Sequence, residues 1–407
     1  MERNRVVIFG NNYNSLLGLA RALGSDGYEV YVLRTSMKKS RVFLRNLGKN
    51  PESKSKYVDR YLSLPSNTEE QVVDTLINQC AAEGRKSLLI PVDDRCAEII
   101  DMNYNRLSPC FYLPNVGNRA GGVMQLIDKL YQKQLAKSVG LPVPEGWSVK
   151  IENGKYEMPK DVSFPCFIKA EMPMKNRKKY MRKCTNYSEL KQGLEKAAAY
   201  KDCMMLIEEY VEIEKEFGTV GMSNRSKVCI PGITEKVLVG HGSQAGVTVI
   251  GKIHPTAEYE QTYEKLKAMM AKADFHGLFD IDLYESKGVM YFNELNVRIG
   301  GAGIGTLLAG VKLPKMLADT FFEEKPDVNY DAKAEEIVFV NERPLISEYG
   351  EGFISWRDYK KFENSTKYRF IYDEDDMRPY YNYKAGTVNE MIRRVKRKLS
   401  GKKWGSK

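Results

Sequence analysis

LFDIDLYESKGVMYFNELNVR, residues 278–298, consists of two runs of alternating apolar and polar residues on either side of Lys287-Gly288. Alternation at period two around a glycine-containing turn predicts a β-hairpin. Successive strand side chains point to opposite faces, so Asp280 and Asp282 share one face of the first strand, and Glu294, Asn296 and Arg298 share one face of the second. A turn at Lys287-Gly288 brings Asp282 close to Glu294 across the ladder. Facing carboxylates repel, so the pair needs cations or protons to neutralise it. Oxygen donors of this kind suit Mg2+, which takes one or two carboxylates plus phosphate oxygens and keeps several waters. A solvated acidic hairpin is the alternative that these residues alone leave open.

Before the hairpin, the opening RVVIFGNNYNSLLGLARALGSDGYEVYVL (residues 5–33) reads as strand, turn, helix and strand, with Leu16, Leu17, Leu19, Ala20 and Leu23 at helical spacing. A helix over 69–82, a buried strand SLLIPV at 87–92 and a helix from Arg95 continue the alternation, which implies a parallel Rossmann-like sheet. The first turn, Gly10-Asn-Asn-Tyr-Asn-Ser-Leu-Leu-Gly18, lacks the second and third glycines of GxGxxG, which argues against a dinucleotide. This domain is expected to scaffold one wall of a substrate site.

An apolar stripe at Leu126, Ile127, Leu130, Tyr131, Leu135 and Val139 predicts one helix over 125–139, stopped by Gly140, Pro142 and Pro144. Strands are expected at FPCFIKA (164–170) and CMMLIEEYV (203–211), and helices near 188–200 and 259–273. The Tyr-rich, charged segment 327–387 reads as a small mixed appendage of undisclosed role. His276, preceding Gly277, reads as a turn residue.

Several short motifs now line up in order. FNELNVRIGG (292–301) resembles the E-x-N-x-R and glycine pair that closes the catalytic site of ATP-grasp enzymes. PVDD (91–94), IDK (127–129) with GLPVPEG, FPCFIKA and LIEEYV (206–211) resemble the other landmarks of that superfamily. The resemblance implies an α/β and α+β chain: a Rossmann-like pre-ATP-grasp domain (1–115) and a two-subdomain ATP-grasp fold (116–325, a lid over 116–205 and a catalytic part over 206–325). A C-terminal appendage (326–390) and a basic tail (391–407) follow. It further implies ATP and Mg2+ as cofactors, Lys129 and Lys169 on the ATP phosphates, Glu208 and Val211 on the adenine edge, and Glu216 on the ribose. Asp282, Glu294 and Asn296 are implied as metal ligands, with Arg298 holding the carboxylate substrate. Lys169 also stands on physical grounds, since an ammonium ending an apolar strand needs anionic company.

The implied activity is ATP-dependent ligation of a carboxylate to an amine through an acyl phosphate, releasing ADP and phosphate. Among relatives the chain is similar to bacterial amino-acid ligases of the D-aspartate ligase and surface-polymer type. Alternatives are an acid-thiol ligase, an acid kinase, or a nucleotide-binding regulator without turnover. The chain departs from the pattern at EMPMKNRKKYMRKC (171–184), where many relatives carry a glycine-rich phosphate loop and this sequence has basic residues and no glycine. A solvated hairpin is the expected form.

Composition narrows the field further. At 407 residues, 43% hydrophobic and 29% charged, the chain is a multidomain globular protein. Seven scattered cysteines without a CxxC pair argue against a disulfide framework or zinc site and fit a reducing cytoplasm. The net charge of +10 owes most to Met391–Lys407, with eight basic residues and no acid. No nucleic-acid partner is expected; the tail is read as a solvated terminus with weak contact to an anionic membrane surface as the alternative. Three histidines at no catalytic or metal-ligand spacing give a hydrolase little support. A homodimer is the commonest departure from a monomer.

Overall fold

The structure is a computed structural model that describes residues 2–35, 48, 50–64, 68–170, 181–199, 202–301 and 303–399. Its first layer is built by β1 (Arg5–Gly10), α1 (Tyr13–Gly24), β2 (Glu29–Thr35), β3 (Arg60–Leu64), α2 (Glu69–Thr75), β4 (Ser87–Pro91), α3 (Asp94–Met102), α4 (Tyr104–Leu107) and β5 (Phe111–Tyr112). The five strands pair in parallel in the order β3-β2-β1-β4-β5. Strand β1 lies between β2 and β4: the chain steps outward from β1 to β2 and β3 on one side, then crosses back to β4 on the other. The C-terminal ends of β1 and β4 therefore border a crevice of the kind where open α/β sheets bind ligands. Asn12 caps α1 by accepting from Ser15 N, and the apolar stripe of that helix is buried.

After β6 (Asn115–Val116) the expected single helix over 125–139 is two, α5 (Gly122–Ile127) and α6 (Lys129–Lys137). The break is Asp128, extended at φ −66° and ψ 119°, whose carboxylate caps the new helix at Tyr131 N (2.8 Å). The capping bond offsets the lost helical turn and starts α6 at Lys129.

A second sheet, in the order β7-β10-β8-β9, comprises β7 (Gly146–Ile151), β8 (Cys166–Ala170), β9 (Arg182–Cys184) and β10 (Cys203–Glu209), backed by α7 (Tyr187–Ala198). Strand β9 pairs antiparallel with β8. Most of the basic loop, residues 171–180, lies outside the described residues.

The third sheet holds β11 (Lys215–Asn224), β12 (Lys227–Cys229), β13 (Ile233–Val239), β14 (Thr248–His254), β15 (Phe275–Ser286) and β16 (Val289–Asn296), with α8 (Glu260–Ala273) packed on it. Its order is β16-β15-β11-β13-β14-β17, where β17 is Val338–Val340, with β6 on β15 and β12 on β11. Helices α9 (Gly303–Leu308) and α10 (Leu313–Phe322) follow. The C-terminal segment supplies β17 (Val338–Val340), α11 (Glu342–Glu351), α12 (Trp356–Glu363) and α13 (Met377–Leu399). The sequence reading marked none of β11, β13 and β14. Glycines interrupt β11 and β14: Gly221 sits under the ring of Phe279 and Gly251 under that of Phe339, so a neighbour's aromatic fills the space a β-former would occupy.

His276 is a correction to the turn expected from sequence. It lies in β15, buried, stacked on Phe321 at 3.9 Å between ring centroids and hydrogen-bonded to Thr320. Burial, with Arg225 nearby, pulls its pKa down to about 4, so it stays neutral in the core.

Candidate active site

The hairpin β15–β16 sets the geometry. Lys287 (φ 50°) and Gly288 (φ 74°) form a two-residue turn with both central residues left-handed, the form that matches strand twist. Its register makes Asp282 the Cα partner of Glu294, and Asp280 that of Asn296. Asn293 is the extra residue of a bulge just beyond, between the Asp282 and Leu283 pairings.

Each carboxylate of the facing pair has a lysine from another element. Lys236 of β13 lies 2.7 Å from Asp282 and 3.6 Å from Glu216. Lys129, the first residue of α6, lies 3.3 Å from Glu294. Burial alone would lower the Lys236 ammonium, but Asp282, Glu216 and Asp280 more than offset it and hold its pKa above the ordinary lysine value. Arg298 donates through Nε to Asp94 (2.8 Å) and through an Nη to Asn296 (3.3 Å); Asp94 and Asp280 keep the guanidinium charged despite burial. Asp280 behaves differently. Burial and the neighbouring Asp282 push its carboxyl up to about 7. Its carboxylate rests on the turn after β16, where a Cβ at Gly300 would overlap it, so that glycine is a steric requirement.

A second cluster sits on the smaller sheet. Glu208 of β10 is buried, whereas Glu209 is exposed, which settles which of the two adjacent acids faces inward. Its carboxylate pairs with Lys169 of β8 (2.9 Å) and with Lys133 of α6. Burial opposes ionisation of Glu208, but the two lysines outweigh it and its pKa falls below the usual carboxylate value. Burial depresses Lys133, with Glu208 opposing and Lys169 reinforcing the shift. Val211, just past β10, is half-buried.

The turn after β4 links the first sheet to the third at this site. Asp93 caps α3 at Cys96 N (3.0 Å) and accepts from Asn11 N (2.7 Å), while Asp94 reaches Arg298. A cavity of about 320 Å³ opens here between α1, the third sheet and the C-terminal segment, lined by Asn12, Asn14, Lys236, Asp280, Asp282 and Arg298 among others. Asn341, just before α11, also lines it. Its amide nitrogen donates to Thr248 O (3.3 Å), so its oxygen is left to accept from Asn14 Nδ2 (3.1 Å). The carbonyl thus fixes the polarity of both amides, and Asn14 Oδ1 is left buried without a partner.

The structure therefore brings Asp282, Glu294, Asn296 and Arg298 together with Lys129 and Glu216, and places Lys169 with Glu208. Sequence reading missed Lys236, Lys133, Asn14 and Asn341, which carry no motif. Asp280 had been placed on the shared face without a role.

The α6 helix is tied directly to the site strand. Gln132 Oε1 accepts from Leu295 N (3.0 Å), and its Nε2 donates to Leu295 O and Leu126 O, both at 2.7 Å. Pro142 O takes a further amide of β16, from Phe292 (2.8 Å).

Among the described residues no group of three or more His, Cys, Asp or Glu is arranged to hold a metal ion. The donor set of Asp282, Glu294 and the Asn296 amide is nevertheless all oxygen. It fits Mg2+ completed by phosphate oxygens and water, not a cage made by protein alone.

This architecture has counterparts. Residues 134–312 match the model of the ATP-grasp domain family. Among solved structures it resembles an L-amino acid ligase from Bacillus licheniformis (14% identity, TM-score 0.55, covering 78% of this chain and 74% of that one). It also resembles the ADP complex of PurK, N5-carboxyaminoimidazole ribonucleotide synthetase (15%, TM-score 0.62, 89% and 86%). A third is the biotin carboxylase domain of the Hydrogenobacter thermophilus 2-oxoglutarate carboxylase, solved with MgADP, ADP and bicarbonate (17%, TM-score 0.59, 81% and 72%). At these identities the likeness is one of fold. No curated protein sequence matches the chain.

Proposed function

We propose that this protein is an ATP-dependent carboxylate-amine ligase that uses Mg2+ and releases ADP and phosphate. The observation that carries the reading is the Asp282 and Glu294 pair, facing across one ladder and each countered by a lysine from a different element. Such a pair exchanges its lysines for a divalent cation without leaving a buried charge uncompensated. Asp282, Glu294 and Asn296 would hold Mg2+, which shields the negative charge between triphosphate and carboxylates when bound. Lys169 and Lys129 are the cations for phosphate oxygens. Arg298, charged and beside the metal donors, holds the substrate carboxylate for attack on the γ-phosphorus. That attack forms a carboxyl-phosphate bond and breaks the bond to ADP. A neutral amine then attacks the acyl carbon, phosphate leaves with the bonding pair, and the nitrogen gives up a proton.

The cavity of about 320 Å³ beside Arg298 is the place for the acceptor. It suits a small polar molecule such as an amino acid, and Asn14 Oδ1 offers an acceptor to an N–H or O–H entering there. The test is an ADP-release screen of amino acids and dicarboxylic acids in pairs, with Glu294→Gln as blank. ADP release that needs both partners supports the ligase. Release with the acid alone, trapped by hydroxylamine, makes it an acid kinase, and absence of Mg2+-dependent nucleotide binding removes the reading.

A further inference from the structure

Helix α11 of the C-terminal segment grips a loop that walls the cavity beside Arg298. Residues 240–247 join β13 to β14, and Gln244, Gly246 and Val247 of that loop line the cavity. Two buried carboxylates of α11 hold it. Glu348 accepts from His241 N (2.7 Å) and lies 2.8 Å from His241 Nδ1. Glu351, one turn on, accepts from Ser243 N (3.1 Å) and from Ser243 Oγ, and Arg393 of α13 pairs with it at 3.3 Å. Gly242, between the two anchored residues, has φ 52°, and a Cβ there would meet Glu351 Oε2 at 2.1 Å, so the loop is fitted to α11. Phe353 stacks on the His241 ring at 5.0 Å. Gln244, the next residue, is half-buried, and its side chain makes one long contact among the described residues, from Nε2 to Ser243 Oγ at 3.5 Å. Its amide oxygen is left to a ligand.

Charge is distributed unevenly around this cavity. Among the described residues, the charged groups that line it, Lys236, Asp280, Asp282 and Arg298, come from the third sheet and the turn after β16. The lining from α1, the 240–247 loop, the first residue of β14 and the start of α11 includes Asn12, Asn14, Gln244, Thr248 and Asn341 and no charged residue. A charged side chain laid against amides and hydroxyls alone loses water without gaining a counter-ion, whereas an uncharged polar one exchanges its water bonds for theirs. We propose that α11 positions Gln244 as the selectivity residue of the acceptor pocket, and that the favoured amine carries a small uncharged polar side chain in preference to an acidic or basic one. This selectivity presupposes the ligase reading and gives the C-terminal segment a part in it. Glu348 and Glu351 act as positioning residues, since they touch the loop and do not line the cavity.

The test is ADP release with serine, asparagine, aspartate and lysine as the amine, each beside the acids of the pairwise screen, and with hydroxylamine in place of any amine. The α-carboxylate is common to the four, so the comparison isolates the side chain. The parent should prefer serine and asparagine to aspartate and lysine by about tenfold or more in kcat/KM. Gln244→Glu should raise the lysine-to-serine ratio on the order of tenfold. Glu351→Ala should raise KM for the preferred amine about tenfold while hydroxylamine-trapped release stays within about twofold of the parent. Glu351→Gln, which can still accept from Ser243 N and donate to Ser243 Oγ, should restore that KM. Gln244→Glu lies outside the α11 contacts, so its result stands even where Glu351→Ala does not fold. A parent that prefers a charged amine, a Gln244→Glu ratio equal to the parent's, or an unchanged KM in folded Glu351→Ala overturns the proposal and leaves the ligase reading standing. ADP release absent from the parent with every pair and with hydroxylamine removes the ligase reading and the selectivity with it.

Discussion

At the smaller sheet one carboxylate, Glu208, is held between two ammonium groups, Lys133 and Lys169. At the larger sheet the carboxylates Asp94, Glu216, Asp280, Asp282 and Glu294 outnumber Lys129, Lys236 and Arg298. One end of the site thus keeps a surplus of positive charge and the other a surplus of negative charge, within reach of a single helix, α6, that sends Lys129 to one and Lys133 to the other. The first arrangement waits for an anion. The second accepts a cation and holds one proton near neutrality at Asp280. A magnesium-bound polyphosphate lying between them would satisfy both, and neither cluster alone implies it.

The contrast can be broken from the positive end first. Glu208→Leu leaves two buried ammonium groups facing each other, and should cost about 3–5 kcal/mol in urea unfolding, part of it restored by MgATP. Glu208 has a depressed pKa, so its stabilising share is present above the unfolded carboxylate value and is lost as the pH falls below about 4. A variant as stable as the parent would mean that the lysines are not held by this carboxylate. At the negative end, Glu294→Gln removes one metal donor and should lower kcat for ADP release by about 10²- to 10³-fold, with the fold intact by circular dichroism. Parent-like turnover there would remove the metal from this ladder. The smallest effect belongs to Asp280. Because its folded pKa is raised to about 7, its stabilising share is full below the unfolded value near 4 and is lost as the pH rises through about 7. Unfolding midpoints at pH 5 and pH 8 should differ less in Asp280→Asn than in the parent; an unchanged difference would place the titration elsewhere.

Much of this was legible in the sequence wherever chemistry and periodicity coincide on one segment. The hairpin residues Asp280, Asp282, Glu294 and Asn296 could be set on facing strands from alternation and one Lys-Gly turn, and the parallel first sheet followed from its strand and helix order. Lys236 and Lys133 were not legible, because a lysine inside an ordinary strand or helix looks solvated until the fold buries it beside an acid. Asn14 and Asn341 are over three hundred positions apart, and only the return of the C-terminal segment to β14 makes them neighbours. The break at Asp128 was hidden by an apolar stripe that continues across it. A lone Asp before Lys129 was a capping signal that the periodicity outvoted.

Strand β16 ends its sheet, so its outward backbone groups have no neighbouring strand. Gln132 meets both the amide and the carbonyl of Leu295, and Pro142 meets the amide of Phe292. A side-chain amide and a loop carbonyl thus occupy bonds that another molecule's strand would otherwise recruit, and this edge is shut by residues of the same chain. Losing Gln132 would therefore expose a site for association between molecules as well as loosening the spacing of the two charge clusters.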